Sequence, residues 1–369
     1  MKIAILTQPL LENYGGILQN YALQTVLYKK GHNVQTLHIV KRLRWHQKVI
    51  FNLYAIYVMF RNLINKLLHK KPFLQQKIIS AAAKKLFLCN ITEFVERKIS
   101  CSEPITNIRQ LKYYSDFEAY IVGSDQVWRP SYSLDIYTYF LEFLPAENTA
   151  IKISYAASFG ISDWNFPPAM TRRCKESAAR LHAVSVRENS GIDLCRQHLG
   201  ILAVQVPDPT LLLEAADYEQ LFSDKNLSGK NKLVTYILDN SPDKEKLIAE
   251  TAENLSLEVL PLQKEFAPGI KKLAIEDWLS AIASAEYVIT DSFHGTVFSI
   301  IFRRQFAAIN NMERGQERFT TLLENLHLLD RLIVATDKIP PEAINYQNSE
   351  KLLADFRNIG YDFLKNNGL

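Results

Sequence analysis

The chain has 369 residues, of which 47% are hydrophobic, 22% charged and 11% aromatic, a composition that excludes a disordered or fibrous protein. Its four cysteines are scattered and none lies in a CxxC pair, so we expect neither a disulfide framework nor a zinc or other metal site. The net charge of +4 conceals an asymmetry, because thirteen of the 43 Lys and Arg residues, and no Asp or Glu, lie between Asn13 and Thr92.

The chain begins with a pattern typical of a parallel α/β sheet. Residues 3–7 form an apolar run suited to a buried strand, and the run is too short for a signal peptide. Apolar residues recur at helical spacing from Ile17 to Val26, and Gly31 marks a helix end before a second predicted strand at 34–40. This βαβ unit predicts parallel strands joined by a crossover helix.

Segment 41–112 interrupts the alternation. Its apolar stretch at 49–60 is too short to span a bilayer, which needs about twenty residues. We expect an insertion of helices that are apolar and aromatic on one side and basic on the other. Two interpretations stay open, a helical pair packed on its own domain or a surface that docks on anionic lipid. Nucleic-acid binding is not expected, because no RRM, KH or zinc-finger signature accompanies the charge.

Strands and helices alternate again after residue 112. Strands are predicted at 119–122, 151–156, 182–186, 204–206, 232–238, 257–260, 287–290 and 305–309, and helices at 243–255, 276–285, 296–302 and 314–326. The stiff segment Pro207-Asp208-Pro209-Thr210 suits a domain connection. The sequence therefore predicts two doubly wound Rossmann-like domains that face a cleft, at 1–205 and 206–340. A C-terminal helix within 341–369 is expected to pack back toward the first domain.

Polar residues follow several predicted strands, where ligands bind in such sheets. Asn13-Tyr14-Gly15-Gly16 lies between the first strand and its helix. Its glycines allow a ligand to approach the backbone, and the helix N-terminus offers amide donors. A tight turn without a ligand is the alternative.

A second polar segment, Gly123-Ser124-Asp125-Gln126-Val127-Trp128, comes directly after an apolar strand. Carboxylate and amide groups together with an indole are a mixture that binds sugars, the polar groups reaching the hydroxyls and the ring packing on the sugar. The alternative is an ordinary helix cap formed by Ser124 or Asp125.

Two further strand ends have residues suited to an anion. Arg187 could bind a carboxylate or phosphate through two N–H groups, unless it only pairs with Glu188 or another surface acid. In Thr290-Asp291-Ser292-Phe293-His294-Gly295-Thr296, His294 would lie in the first turn of a helix, where the helix dipole disfavours a protonated imidazole and amides can bind an anion. Arg314 and Arg318 on the next predicted helix are further candidate cations.

Three of these segments together resemble the polysaccharide pyruvyl transferase family: residues 13–24, 123–128 and 291–295. They occur in the family's order, and the resemblance extends over about residues 1–330. It implies a fold like that of the two-domain GT-B glycosyltransferases. It also implies phosphoenolpyruvate as the donor substrate, with no other cofactor, and a cyclic pyruvate ketal on a hexose as the product.

The family resemblance also implies roles for single residues. Family residues in the positions of Arg187 and His294 are implicated in donor binding. Some members have Arg-Leu-His-Gly where this chain has Ser292-Phe293-His294-Gly295, so another cation, such as Arg318, would replace the missing arginine. The expected donor site comprises Arg187, Ser292, His294, Gly295 and Arg318. The expected acceptor site comprises Asn13, Tyr14, Gly15, Gly16, Ser124, Asp125, Gln126 and Trp128.

Transfer from phosphoenolpyruvate needs a general acid and a general base. His294 is the candidate for one role, and Asp125, Glu188 or Asp291 for the other. Acceptors in such pathways are commonly linked to polyprenyl diphosphate, which the basic, aromatic segment 41–112 would suit. We therefore expect a bacterial cytoplasmic protein at the inner face of the cell membrane, active in capsular or other surface polysaccharide synthesis. The alternatives are a GT-B glycosyltransferase that uses a nucleotide sugar and a non-catalytic carbohydrate-binding protein.

Overall fold

The structure is a computed structural model that describes residues 1–40, 61, 64–65, 81–223, 228–263, 266, 269–311 and 315–369. Its strands form two sheets in which all the strand pairs are parallel. The first sheet, in the order β2-β1-β3-β4-β5-β6, comprises β1 (Lys2–Leu6), β2 (Asn33–Thr36), β3 (Ala119–Gly123), β4 (Ile151–Ala157), β5 (Ala183–Val186) and β6 (Val204–Gln205). The second, in the order β11-β10-β9-β7-β8, comprises β7 (Lys232–Tyr236), β8 (Glu258–Pro261), β9 (Tyr287–Thr290), β10 (Gln305–Ile309) and β11 (Leu332–Ile333).

Helices connect the strands and cover the sheets. In chain order they are α1 (Tyr14–Lys29), α2 (Ala81–Phe87), α3 (Cys89–Lys98), α4 (Pro168–Ala178), α5 (Asn189–Leu194), α6 (Ala215–Glu219), α7 (Pro242–Leu255), α8 (Ile275–Ser284), α9 (Phe293–Ile301), α10 (Glu317–Asn325) and α11 (Tyr346–Asn366). The prediction of two Rossmann-like parallel α/β units is confirmed. Strands buried on both faces require continuous apolar runs, and Ile3 to Leu6 are completely buried.

Several element boundaries differ from the prediction for local reasons. Helix α1 begins at Tyr14, three residues earlier than the apolar periodicity indicated, because the Asn13 side chain caps it by accepting from the Gly15 N–H at 3.1 Å. Strand β2 ends at Thr36, and the rest of the predicted strand makes only isolated bridges, such as that between Ile39 and Ile105. The chain after α3 therefore returns along this edge of the first sheet.

The two sheets share one large apolar core. A single cluster of buried side chains contains Leu18 from α1, Trp278 from α8, Phe298 from α9 and Leu364 from α11. Helix α11 also reaches β4, since the rings of Tyr155 and Phe363 are 6.1 Å apart. This packing holds the strand ends of both sheets at the same cleft.

Most of the predicted basic insertion lies outside the described residues, which include α2, α3 and the residues that follow them. The end of α2 contacts the second sheet's side of the cleft. The Lys272 N–H donates to the Phe87 carbonyl at 2.8 Å, and the rings of Phe87 and Phe266 are 5.2 Å apart. Within the described ranges, no helix combines the length and the apolar character needed to cross a bilayer.

Candidate active site

Residues that follow the strands of both sheets line a cleft of about 410 Å³. Its position agrees with the general rule that ligands of parallel sheets bind beyond the carboxyl ends of the strands. From the first sheet's side the lining includes Gln8, Glu12, Asn13, Asp125, Gln126 and Tyr132. From the second it includes Lys272, Asp291, Ser292, Phe293, His294 and Arg318.

Asp208 lies beneath this cleft and contacts residues from both sheets. Its Oδ2 accepts from Arg187 Nη1 at 2.7 Å and from Ser124 Oγ at 3.2 Å, and it lies 3.6 Å from His294 Nε2. Burial alone would raise the pKa of Asp208, but the neighbouring imidazole of His294 and the charge of Arg187 hold it well below its usual range. From the sequence, Asp208 is predicted only to be part of a domain connection. The available signal was an acid placed between two prolines just after a strand.

Arg187 is 4% exposed and is held between carboxylates and an aromatic ring. Its Nε is 3.5 Å from Glu188 Oε1, and its Cζ is 4.8 Å from the centre of the Phe293 ring. Burial by itself lowers the pKa of Arg187, but Glu188 and Asp208 raise it above its ordinary value. Its Nη2 is buried and has no hydrogen-bond partner among the described residues.

Glu188 is also buried, at 2% exposure. One carboxylate oxygen, Oε1, accepts a short hydrogen bond from the Ser158 hydroxyl. The other, Oε2, has no partner in the part of the chain that the structure describes. The predicted pairing of Arg187 with Glu188 is thus present, but it is a buried contact rather than a surface ion pair.

His294 lies in the first turn of α9, as the sequence predicted. Ser292 caps this helix and accepts from the Gly295 N–H at 3.4 Å. The imidazole packs on the backbone of Gly15, where a Cβ would lie only 1.9 Å from His294 Nδ1. The segments 13–16 and 291–295 are therefore in direct contact across the cleft.

Arg318, on α10, is the second arginine of this cluster. Its Cζ is 5.3 Å from the centre of the Phe293 ring, so that ring contacts the guanidinium groups of both Arg187 and Arg318. Burial and the charge of Arg187 lower the pKa of Arg318 to about 10. Two cations that oppose each other in a buried site favour an anionic ligand. Arg314 lies outside the described residues.

Asp125 places a carboxylate at the cleft. Its backbone has φ of 71°, a left-handed conformation that is uncommon for a residue other than glycine and that occurs often at functional sites. Oδ1 accepts from the Gln126 N–H at 2.8 Å, and Oδ2 accepts from Asn13 Nδ2 at 3.3 Å. A Cβ on Gly16 would lie 3.1 Å from Oδ2, so the glycine gives this carboxylate its space.

Two of the expected acceptor residues do not present their rings to the cleft. Trp128 is completely buried, stacks on Phe140 with ring centres 5.0 Å apart and donates from Nε1 to the Tyr139 carbonyl at 2.9 Å. Tyr14 stacks on Trp278 with ring centres 5.5 Å apart. Both rings are thus core contacts, and the expectation that the indole packs on a sugar is not met in this structure.

Asp291 is fully engaged in structural contacts. Its Oδ1 accepts from the Leu238 N–H at 2.6 Å, and its Oδ2 accepts from Lys244 Nζ at 2.7 Å and from the Asp239 N–H at 3.1 Å. These bonds tie the end of β9 to the loop after β7 and leave little capacity for a role as a base. Within the described ranges, no three His, Cys, Asp or Glu side chains are grouped as metal ligands.

Lys272 is a cleft cation that the sequence analysis missed. It is 9% exposed, donates from Nζ to the Glu12 carbonyl at 2.6 Å and lies 4.8 Å from the centre of the Tyr14 ring. Burial lowers its pKa. No motif marks it, because a lysine in a loop has the same local sequence whether it faces solvent or a cleft.

Comparison with known proteins gives one match at the level of sequence families. A model described as polysaccharide pyruvyl transferase matches residues 13–313. A search of curated proteins finds no match.

Similar solved structures share little sequence with this chain. A UDP-GlcNAc 2-epimerase from Neisseria meningitidis is 8% identical, with 100% of this chain and 93% of that chain covered and a TM-score of 0.44. The E. coli heptosyltransferase WaaC is 11% identical, with 84% and 89% covered and a TM-score of 0.37. A glycosyltransferase from Rickettsia africae is 9% identical, with 98% and 93% covered and a TM-score of 0.44.

Proposed function

The chain belongs to the polysaccharide pyruvyl transferase family, and we propose that it moves the pyruvyl group of phosphoenolpyruvate onto a hexose of a surface polysaccharide. The observation that supports this most directly is the convergence of Arg187, Arg318 and His294 at the strand ends beside one cleft. Phosphoenolpyruvate has a carboxylate and a phosphate. These are the groups that arginine binds through two N–H donors.

The donor site that we propose consists of Arg187, Ser292, His294, Gly295 and Arg318. Arg187 Nη2 is buried without a partner among the described residues, so a ligand oxygen could satisfy it. The N-terminus of α9 adds backbone amides and a favourable helix dipole for the phosphate or the carboxylate. Arg318 takes the place of the arginine that some family members have at the position of Ser292.

The reaction that we propose conserves every atom of donor and acceptor. A proton added to the methylene carbon of phosphoenolpyruvate gives a cation at C2, and a sugar hydroxyl attacks this carbon and loses its proton. The bond between C2 and the phosphate oxygen then breaks, and phosphate leaves with the electron pair. A second hydroxyl attacks C2, loses its proton and closes the ketal. The two hydroxyls release two protons. One replaces the proton that was added to the methylene carbon, and the other protonates the departing phosphate.

His294 and Asp125 are the pair that we propose for these proton transfers. His294 would act as the acid toward the methylene carbon, because it borders the cationic donor site. Asp125 lines the cleft and would accept a proton from the sugar hydroxyl. Glu188 is the other candidate base because its Oε2 has no partner within the described ranges, whereas Asp291 is engaged by Lys244 and backbone amides.

We propose that the first domain spans 1–205 and that the acceptor enters from its side of the cleft. The residues that would contact the acceptor are Asn13, Gly15, Gly16, Asp125 and Gln126. The second domain, 206–340, would hold most of the donor residues. Ser124, Tyr14 and Trp128 would support this surface from beneath rather than contact the sugar.

We propose further that the acceptor is linked to polyprenyl diphosphate and that the protein acts at the inner face of the cell membrane. The support is the position of the basic insertion, whose helix α2 borders the cleft. Lys84 Nζ lies 2.6 Å from the carboxylate of Glu12, a cleft residue. A basic segment that binds anionic lipid would therefore lie beside the opening through which a lipid-linked sugar enters.

The experiment measures the melting temperature with phosphoenolpyruvate or with nucleotide sugars, and phosphate release with saccharide acceptors. We expect phosphoenolpyruvate, and not a nucleotide sugar, to raise the melting temperature. We also expect phosphate release that depends on the acceptor and that His294→Gln abolishes. His198→Gln is the matched control, because His198 stacks on Trp164 with ring centres 4.6 Å apart and does not line the cleft. Stabilisation by a nucleotide sugar instead would indicate a glycosyltransferase. Saccharide binding without any turnover would indicate a binding protein.

A further inference from the structure

The carboxylate of Asp208 faces one basic side chain from each side of the cleft, Arg187 and His294. Its side chain is completely buried, and the same oxygen, Oδ2, lies 2.7 Å from Arg187 Nη1 and 3.6 Å from His294 Nε2. The other oxygen, Oδ1, accepts from the backbone N–H of Thr210 at 3.0 Å and from its hydroxyl at 2.7 Å. The position of the carboxylate is thus fixed by its own segment, while Oδ2 is directed at the proposed donor site.

The ionised state of Asp208 determines which nitrogen of His294 bears the hydrogen. Burial raises the pKa of this carboxyl, but the neighbouring imidazole of His294, the charge of Arg187 and the hydrogen bond from Thr210 outweigh burial and hold the pKa below its ordinary value, so the group is a carboxylate. A carboxylate only accepts hydrogen bonds. His294 Nε2 lies 3.6 Å from this carboxylate and makes no hydrogen bond within the described residues, so the negative charge favours the form in which Nε2 bears the hydrogen.

The remaining ring nitrogen of His294 is Nδ1, on the side of Gly15. A Cβ on Gly15 would lie 1.9 Å from Nδ1, so this nitrogen points toward the start of α1. Asn13, which caps that helix, lines the same cleft as His294. With Nε2 facing Asp208 at 3.6 Å, Nδ1 is the nitrogen at which the neutral imidazole gains the proton that it then passes to the ligand.

We propose that Asp208 is a positioning residue that fixes His294 as the Nε2–H tautomer and orients Arg187 through the same oxygen. The role of Nδ1 in proton transfer rests on the proposed function. The tautomer itself is a property of the protein without substrate. The proposed tautomer and the proposed function can therefore be disproved independently of each other.

The test is long-range ¹H–¹⁵N NMR of the full chain labelled with ¹⁵N at histidine, with His294→Gln used to assign the His294 signals. We expect the Nε2–H tautomer in the unaltered protein. An Nδ1–H tautomer there would overturn the proposal, whether or not any variant folds. In Asp208→Asn the amide can donate or accept, so we expect mixed tautomers and a kcat lowered by about 10- to 100-fold, with a smaller change in KM.

Thr210→Val is the matched control, because it removes a hydrogen bond to the same carboxylate without changing its charge. We expect this variant to melt at a lower temperature, to keep the Nε2–H tautomer and to change kcat by less than about threefold. A purely structural Asp208 predicts the opposite, namely an unchanged tautomer in Asp208→Asn and similar kinetic losses in both variants. If the tautomer responds to Asp208→Asn but the unaltered protein does not turn over phosphoenolpyruvate, the positioning role stands and the proposed function fails.

Discussion

Gly15 and His294 are in van der Waals contact across the cleft, although they lie in helices that follow strands of different sheets, near opposite ends of the matched region. The contact is so close that a Cβ at position 15 would lie 1.9 Å from Nδ1 and 2.2 Å from Cγ of the imidazole. Gly15 lies in the first turn of α1, whose apolar side chains belong to the core that both sheets share. The position of the imidazole therefore depends on how the two halves of the molecule are packed.

Gly15→Ala is expected to displace His294. An added methyl group cannot be accommodated at this distance, so either the imidazole or the start of α1 must move. Displacement of a reacting group by about 1 Å can cost 100-fold in rate, and we expect kcat/KM to fall by at least about that factor. Gly191→Ala is the matched control, since its Cβ would lie 3.1 Å from Val186 Cβ and Gly191 does not line the cleft. Wild-type kinetics in Gly15→Ala would contradict the assignment of His294.

The sequence identifies those site residues that directly follow a predicted strand. Ligands bind at the ends of parallel strands, and this rule alone is enough to select Asp125, Arg187 and His294 from the sequence. Their grouping depends on the contact between the sheets, which no local pattern encodes. Two contacts that no local pattern predicts are the packing of His294 on Gly15 and the approach of Arg318 to Phe293.

Two residues show why the remainder of the site was not predictable. An acid between two prolines has the sequence of a linker, so the buried position of Asp208 could not be inferred from its neighbours. An indole after a strand has the same sequence signature whether it faces a ligand or the core, and Trp128 faces the core. In both cases tertiary packing decides which side of the backbone is buried.

Trp128→Phe is expected to affect stability and not acceptor binding. The indole fills a completely buried position against Phe140, and its Nε1 donates to the Tyr139 carbonyl. Loss of this bond and of part of the packing should cost about 1–3 kcal/mol. Urea unfolding measures this cost, while the KM for the saccharide acceptor should stay within about twofold. A large rise in that KM at unchanged stability would restore the sugar-stacking role.

Arg187→Lys is expected to weaken donor binding more than it weakens the fold. Lysine keeps a charge near Asp208, which avoids the cost of about 3–5 kcal/mol expected when one partner of a buried ion pair is deleted. It cannot, however, offer two N–H groups in one plane, so we expect the KM for phosphoenolpyruvate to rise about tenfold or more. Arg173→Lys is the control, because Arg173 forms an exposed pair with Glu142 at 2.7 Å. Equal kinetics in the two variants would argue against Arg187 as a donor ligand.

Asp208 should make the fold sensitive to acid. Its pKa in the folded protein is below its ordinary value of 3.8, so its stabilising contribution is fully present above that value and is lost as the pH falls toward the folded pKa. Urea unfolding of the unaltered protein at several pH values from 7 to 3 should show this decline. Asp208→Asn should be less stable at pH 7 and should lose less stability on acidification. A parallel decline in the two proteins would contradict the buried ion pair.

Reversal of charge in the basic insertion should separate membrane docking from chemistry. Arg42, Arg44 and Lys48 lie outside the described residues, and we propose that their charge helps the protein bind anionic lipid. Each basic residue near such a surface contributes about 1 kcal/mol, so the triple change to Glu should abolish binding to vesicles rich in phosphatidylserine at physiological salt.

The matched control for that triple variant reverses three exposed lysines far along the chain, Lys338, Lys351 and Lys365. It changes the net charge by the same amount, so any general effect of charge appears in both proteins. We expect only the variant of the insertion to lose vesicle binding and turnover of a lipid-linked acceptor, while both keep phosphate release with a soluble saccharide. Equal losses in the two variants would show that vesicle binding reflects total charge. Full vesicle binding by the variant of the insertion would place the docking surface elsewhere.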